Sequence, residues 1–254
     1  QIIKAADSLP PYEVIKVIDF ETTSGDPKEA AYNPLKHDIL GIACGSQEQQ
    51  YYIPLKHRDT VNYDFDKVKQ WFAEYCRRNV WRNQNVKFDA RFAWHKLGIY
   101  EFYGLQDLMV RAHLCDENRE KKWGGPGYSL DAINEQFTGE PIHKKAVIKT
   151  ALGKSKDFAD VPLELLATYA CNDVAITDRC FELAEKAIPA ECGEVLKTED
   201  QLTRILLLAE CKGVKIDVSE CGRVSHKLLH EIISLQEQMT TLIDIEFNPA
   251  SDPE

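Results

Sequence analysis

The sequence has no stretch near 18 consecutive apolar residues, so nothing in it reads as a membrane-spanning helix. Its eight cysteines include no C-x-x-C pair, which removes zinc ribbons and dithiol redox motifs, since both need closely spaced sulfurs. A secreted disulfide framework is also disfavoured, because 254 residues are enough to build a core without one. The cysteines are therefore expected to be buried thiols in a reducing, intracellular compartment. The chain begins Gln1-Ile2-Ile3-Lys4, with neither a Met nor a secretory signal pattern, and so reads as a fragment. Internal repeats and low-complexity tracts are absent. So is any excess of positive charge: 31 Lys/Arg stand against 41 Asp/Glu, net −10, whereas nucleic-acid binders usually carry a basic footprint.

What is present is an ordinary folded composition, 44% hydrophobic and 28% charged, of a length for one large domain or one and a half. The charge is uneven. Residues 189–254 hold 6 Lys/Arg against 13 Asp/Glu, while residues 1–188 hold 25 against 28. This marks a boundary near Pro189, with domains expected at 1–188 and 189–254. β-branched apolar runs predict strands over Val14–Phe20, Asp38–Cys44 and Gln50–Leu55, the last two as a hairpin, with a short strand over Val80–Asn83. Helical spacing predicts Phe65–Arg78 behind an Asp64 cap, Val86–Leu97 ending at Gly98, and Leu105–Leu114. The polar stretch 116–160 reads as loop, with one helical patch at Ser129–Phe137. Val161–Ala187, Ala190–Lys212 and Val218–Ile243 follow as helices. The order implies an α/β fold, a mixed sheet flanked by helices, then a C-terminal helical segment.

Three acidic motifs carry the chemistry. In Asp19-Phe20-Glu21-Thr22-Thr23, the two acids share one face of the first strand near its carboxyl end, where α/β folds place their sites. Two adjacent carboxylates repel and call for a cation; the bland reading is a solvated strand end. Asn85-Val86-Lys87-Phe88-Asp89 opens a helix, with Asn85 suited to cap it. Asp89 is either a site acid or a first-turn acid favoured by the helix dipole. In Tyr169-Ala170-Cys171-Asn172-Asp173, positions i and i+4 set a phenol and a carboxylate on one helix face. The bland reading there is a plain Tyr–Asp hydrogen bond.

Together and in this order, D-x-E, N-x-x-x-D and Y-x-x-x-D resemble the DEDDy class of 3′–5′ exonucleases, and most nearly the proofreading domain of family A DNA polymerases. Gln84–Ala90, Asp107-Leu108-Met109 and Tyr128–Asp131 are similar to that family's surrounding elements, over residues 12–188. Leu202–Asp217 and Phe247–Ser251 resemble the passage into the polymerase domain, but no palm or fingers motif follows. The resemblance implies an RNase H-like fold and two Mg²⁺ or Mn²⁺ ions held by Asp19, Glu21, Asp89 and Asp173. Asp19 bridges the ions, Glu21 and Asp173 complete the site that acidifies the attacking water, and Asp89 serves the second ion. Tyr169 orients that water rather than acting as a base, its ordinary pKa being about 10. Thr168 stands where the DEDDh class has His. His226 and His230 share a helix face in the tail without an evident third ligand.

The resemblance also implies a single-stranded DNA 3′ end as substrate partner and a polymerase domain of the same parent protein as the other. Thr22, Asn85 and Phe88 are the candidate contacts to the terminal nucleotides. Lys144 and Lys145 are candidate contacts in a Gly/Lys-rich loop along the strand path, against which stands a merely solvated loop. In the tail, Val224, Leu228, Ile232, Leu235, Met239 and Leu242 form an apolar stripe, for packing in a helical hairpin or for docking on polymerase. The rivals are an RNase D-like exoribonuclease and an inactive docking module. Setting aside the acidic tail and the four site acids leaves 25 basic against 24 acidic residues, so the net charge no longer excludes a nucleic acid.

Overall fold

Five strands form one mixed sheet in the order β3-β2-β1-β4-β5: β1 Val17–Thr22, β2 Ile39–Gly45, β3 Gln50–Pro54, β4 Val80–Asn83 and β5 Gly104–Asp107. The computed structural model describes all residues except 5–6, 24–32, 59, 142–144, 154–156 and 244–254, and all side chains but those of 123, 145–147 and 149. The β1–β2 and β2–β3 pairs are antiparallel, and β1–β4 and β4–β5 are parallel. The expected hairpin forms, with β2 buried along its whole length.

One face of the sheet is covered by α1 (Phe65–Arg78) and α2 (Val86–Phe92), around Phe20, Phe72, Trp81 and Phe92. Asp64 caps α1 as expected, its carboxylate accepting the Lys67 amide at 2.9 Å. The other face is covered by α6 (Leu163–Ala187), where Ala167, Ala170 and Val174 meet Val17, Ala43 and Tyr52. Small residues on the helix allow its close approach to the sheet.

Four expectations need correction. The first strand begins at Val17 rather than Val14 and runs to Thr22; Tyr12–Val14 is a 3₁₀ turn following Pro11. The predicted helix Leu105–Leu114 is instead strand β5 followed by α3 (Leu108–Cys115). A four-residue edge strand with one buried apolar residue, Leu105, leaves no alternation to read. The stretch 116–160 is more ordered than a loop. It contains α4 (Leu130–Thr138), α5 (Lys145–Leu152) and three 3₁₀ turns. Of the cysteines, only Cys44, Cys76 and Cys180 are buried, and Cys221 is exposed.

The chain divides into two units, 1–211 and 212–254, so the first runs past the expected boundary at Pro189. Helix α7 (Gly193–Lys212) places Leu207 in the main core, fully buried, and Asp200 forms a bidentate ion pair with buried Arg111 of α3. A chain ending at residue 211 is therefore expected to melt within a few degrees of the parent. One ending at 188 should melt at least 10 °C lower, because losing buried Leu207 and breaking the ion pair together remove about 5 kcal/mol or more. Equal melting of the two truncations by differential scanning fluorimetry would favour the boundary at 189 over one at 211. In the second unit, α8 (Val218–Ile243) exposes much of its apolar stripe, Leu228, Ile232 and Leu235 among it. Phe247–Ser251 lies outside the described residues.

Candidate active site

The three acidic motifs meet at the carboxyl end of β1. Asp19 and Glu21 alternate with buried Ile18 and Phe20, and so share the face that α6 covers. Opposite them on β2 stand small residues: Asp19 pairs with Ala43 and Glu21 with Gly41. A Cβ on Gly41 would lie 2.2 Å from the Tyr52 Oη, so only glycine lets that ring cross β2. The Tyr52 hydroxyl shares a buried 2.8 Å hydrogen bond with His57 Nε2.

Helix α6 supplies Tyr169 and Asp173, one turn apart and hydrogen-bonded to each other. Asp89 comes from α2, on the opposite face of the sheet. Its Oδ1 accepts the Phe20 amide at 2.9 Å and ties the helix to β1. A cleft of about 350 Å³ is lined by Asp19, Glu21, Asp89, Tyr169 and Asp173, and also by Asn85 and Phe88. Asn83, Gln84, Ser129, Leu130, Asp131, Phe158 and Thr177 complete its wall.

The remaining candidate contacts fare differently. Thr22 ends β1, half-buried, and is not among the residues that line the cleft. Lys144 lies outside the described residues. Lys145 opens α5, and its side chain is not described. Asn85 does not cap α2 with its side chain: it adopts the left-handed conformation, φ 60°, which Asn tolerates better than most residues. The orphan amides at that helix start are held by Asp107, whose two carboxylate oxygens accept from Asn85 and Val86 at 2.9 and 3.0 Å.

Asp107 and Asn83 are thus the residues that sequence reasoning left without a role. Asp107 was visible only as part of the D-x-M element. Asn83 gave one faint signal, a polar side chain ending a short strand beside an acid-rich one. Its Nδ2 donates to Asp19 Oδ1 at 2.8 Å and to Asp89 Oδ2 at 2.9 Å.

The electrostatics follow from crowding. Burial pushes Asp19 up to about 6, with the Asn83 hydrogen bond opposing. Glu21 is held well above its ordinary value by burial, then by Asp19, Asp173 and Asp89. Asp89 is raised by burial and by Asp19, against the donors Phe20 and Asn83. Burial and the neighbouring acids keep Tyr169 a neutral phenol. None of the described lining residues is Lys or Arg. Four carboxylates offering only hard oxygen donors fit a divalent cation such as Mg²⁺ or Mn²⁺. Among the described residues, no three His, Cys, Asp or Glu side chains already converge closely enough to hold a metal ion.

The raised acids set the sign of a pH effect in chelator-treated protein. Unfolded carboxylates release their protons near pH 4, whereas folded Asp19 keeps its proton to about 6, and burial also holds Glu21 and Asp89 well above their ordinary values. The folded state binds more protons across that window. The site's contribution to stability is complete below pH 4 and lost as pH rises through 6. Asp19→Asn, Glu21→Gln and Asp89→Asn should each flatten the fall in melting temperature between pH 4.5 and 8. Parallel profiles for parent and variants would contradict this.

A family model described as 3′–5′ exonuclease matches residues 14–186. DNA polymerase I of Borreliella burgdorferi is 25% identical over 235 residues, 91% of this chain and 24% of that protein. DNA polymerase I of Synechocystis is 25% identical over 236 residues, 89% of this chain and 23% of that protein. The chain spans about a quarter of the length of these curated relatives. Among solved structures, Brucella melitensis NrnC superposes with a TM-score of 0.59 at 15% identity, covering 81% of this chain and 90% of that one. The sheet and its helices are of the RNase H-like class expected from the sequence.

Proposed function

The chain belongs to the 3′–5′ exonuclease family, and on that premise we propose that it removes nucleotides one at a time from single-stranded DNA 3′ ends. It would do so as the proofreading domain of a family A DNA polymerase inside the cell, with residues 1–188 carrying the motifs and 189–254 leading toward the polymerase domain. The observation that carries this reading is the meeting of Asp19, Glu21, Asp89, Tyr169 and Asp173 in one cleft. It favours the DEDDy class, Tyr169 standing one turn from Asp173. No described helix is long and apolar enough to cross a membrane.

Asp19, Glu21, Asp89 and Asp173 would hold two divalent cations, Mg²⁺ or Mn²⁺, which when bound supply water activation and relief of charge on the phosphate and the leaving 3′ oxygen. The chain's own groups do the rest. Tyr169 keeps its proton, so it can orient a water by hydrogen bonding but cannot take that water's proton. Phe88 and Phe158 give the acidic cleft two aromatic walls suited to stacking unpaired bases. The Gln84 amide donates to the Tyr128 carbonyl at 3.0 Å and fixes the wall that continues into Ser129 and Leu130. Lys144 and Lys145 remain candidates for the phosphate track.

Matched DNA and RNA oligomers test the substrate. Shortening of the DNA at least tenfold faster than the RNA is expected with Mg²⁺. Faster shortening of the RNA would replace the proposal with an RNase D-like activity, and loss of neither would leave an exonuclease-like docking module.

A further inference from the structure

We infer that Asn83 is a positioning residue of the carboxylate site, holding Asp19 and Asp89 at the separation from which a divalent cation is bound. The inference rests on the exonuclease reading above and assigns a residue that the three acidic motifs do not contain. Asn83 ends β4 and is buried, 2% exposed. From there it reaches acids held by two different elements, Asp19 in β1 and Asp89 in α2.

A primary amide carries two N–H donors on one nitrogen, and here one goes to each carboxylate. The reversed amide would aim its carbonyl oxygen at two acids, so the network fixes its orientation. The two acids repel, and Coulomb repulsion from Asp19 acts on Asp89. The shared amide offsets that repulsion without charge. It takes one direction on each carboxylate and leaves the others for a cation. Asp89 is pinned at both oxygens, Oδ1 by the Phe20 amide and Oδ2 by Asn83, so its plane is set before any cation arrives. Asp19 is set by Asn83 and by its place on β1.

No other common side chain of this length gives the same pair of neutral donors. Ser supplies one, Ala none, and Asp reverses the polarity. Residues that orient metal-holding groups typically matter 10–100-fold in affinity or activity. Asn83→Ala is therefore expected to weaken Mn²⁺ binding about 10–100-fold, and Asn83→Ser by an intermediate factor.

The test is Mn²⁺ binding to the parent chain, Asn83→Ser and Asn83→Ala, followed by the electron paramagnetic resonance signal of free Mn²⁺, with kcat and KM on a single-stranded DNA measured alongside. The expected result is a graded loss of Mn²⁺ affinity in the order Asn, Ser, Ala, a lower kcat at saturating Mn²⁺ and an unchanged KM. Asn83→Ser preserves the outcome should Asn83→Ala fold poorly. Variants that melt lower but bind Mn²⁺ as the parent does would overturn the inference and leave Asn83 a packing residue. The same graded Mn²⁺ binding across the three proteins, with no cleavage by the parent, would instead overturn the exonuclease reading and leave the role of Asn83 standing.

Discussion

Asp19→Asn is expected to lower kcat on single-stranded DNA by about a thousandfold, ~4 kcal/mol of transition-state stabilisation, while making the chelator-treated protein more stable. Both halves come from the same carboxylate. Asp19 is the acid in the middle of the site: it shares Asn83 with Asp89 and raises the pKa of Glu21. Asn is isosteric with it and keeps an oxygen for the Asn83 donor, so the local hydrogen bond survives. What disappears is a charge that the fold opposes, the group being pushed up to about 6 by burial. Relief of that penalty at pH 8 is on the order of 3 kcal/mol or less. Urea denaturation with chelator present measures one half, and single-turnover hydrolysis the other. An inactive variant that is also less stable would mean that Asp19 is a structural residue, and the site would lose its centre. A site that costs stability and returns activity is what a functional carboxylate cluster should look like.

The second large effect is structural. Arg111 is 1% exposed, and its Nη1 and Nη2 each donate to Asp200 of α7 at 2.8 Å. Its guanidinium also lies 5.2 Å from the centre of the Phe181 ring on α6, so one side chain gathers α3, α6 and α7. Arg111→Ala is expected to destabilise the chain by about 3–5 kcal/mol, because it strands Asp200 and opens a cavity. For a unit of this size that corresponds to a melting temperature lower by roughly 10 °C. Replacing both partners with apolar residues of similar volume should cost far less, since the uncompensated charge goes as well. If Arg111→Ala and the paired replacement melt alike, the ion pair contributes nothing and packing alone holds α7.

Legibility from sequence depended on pattern length. Helices α1 and α8 have the bounds expected from the sequence, each a long helical pattern, and the short strand β4 also has its expected bounds because it stands apart from the helical spacing on either side. The three motifs could be read as one site only through their resemblance to a family, because no spacing shows that residues 19, 89 and 173 meet. Strand β5 was missed because Gly104–Asp107 runs directly into helical spacing and owes its existence to pairing with β4. The roles of Asn83, Asp107 and Gly41 were illegible for a related reason. Each is defined by what another element brings to it: two acids, two helix-end amides and a tyrosine ring. Asn85 stands at the start of α2 as expected, but its side chain does not cap the helix, because a carboxylate 22 positions away holds the amides there.

The most direct test of the central claim is a 5′-labelled single-stranded DNA incubated with the 254-residue chain and Mg²⁺ and resolved at single-nucleotide steps, beside the same reaction with Asp19→Ala and with the substrate's 3′ end blocked. The expected result is a ladder that shortens one nucleotide at a time from the 3′ end, slowed by the block and abolished by the substitution. Internal cuts, shortening that ignores the block, or equal survival of the strand with parent and variant would contradict it.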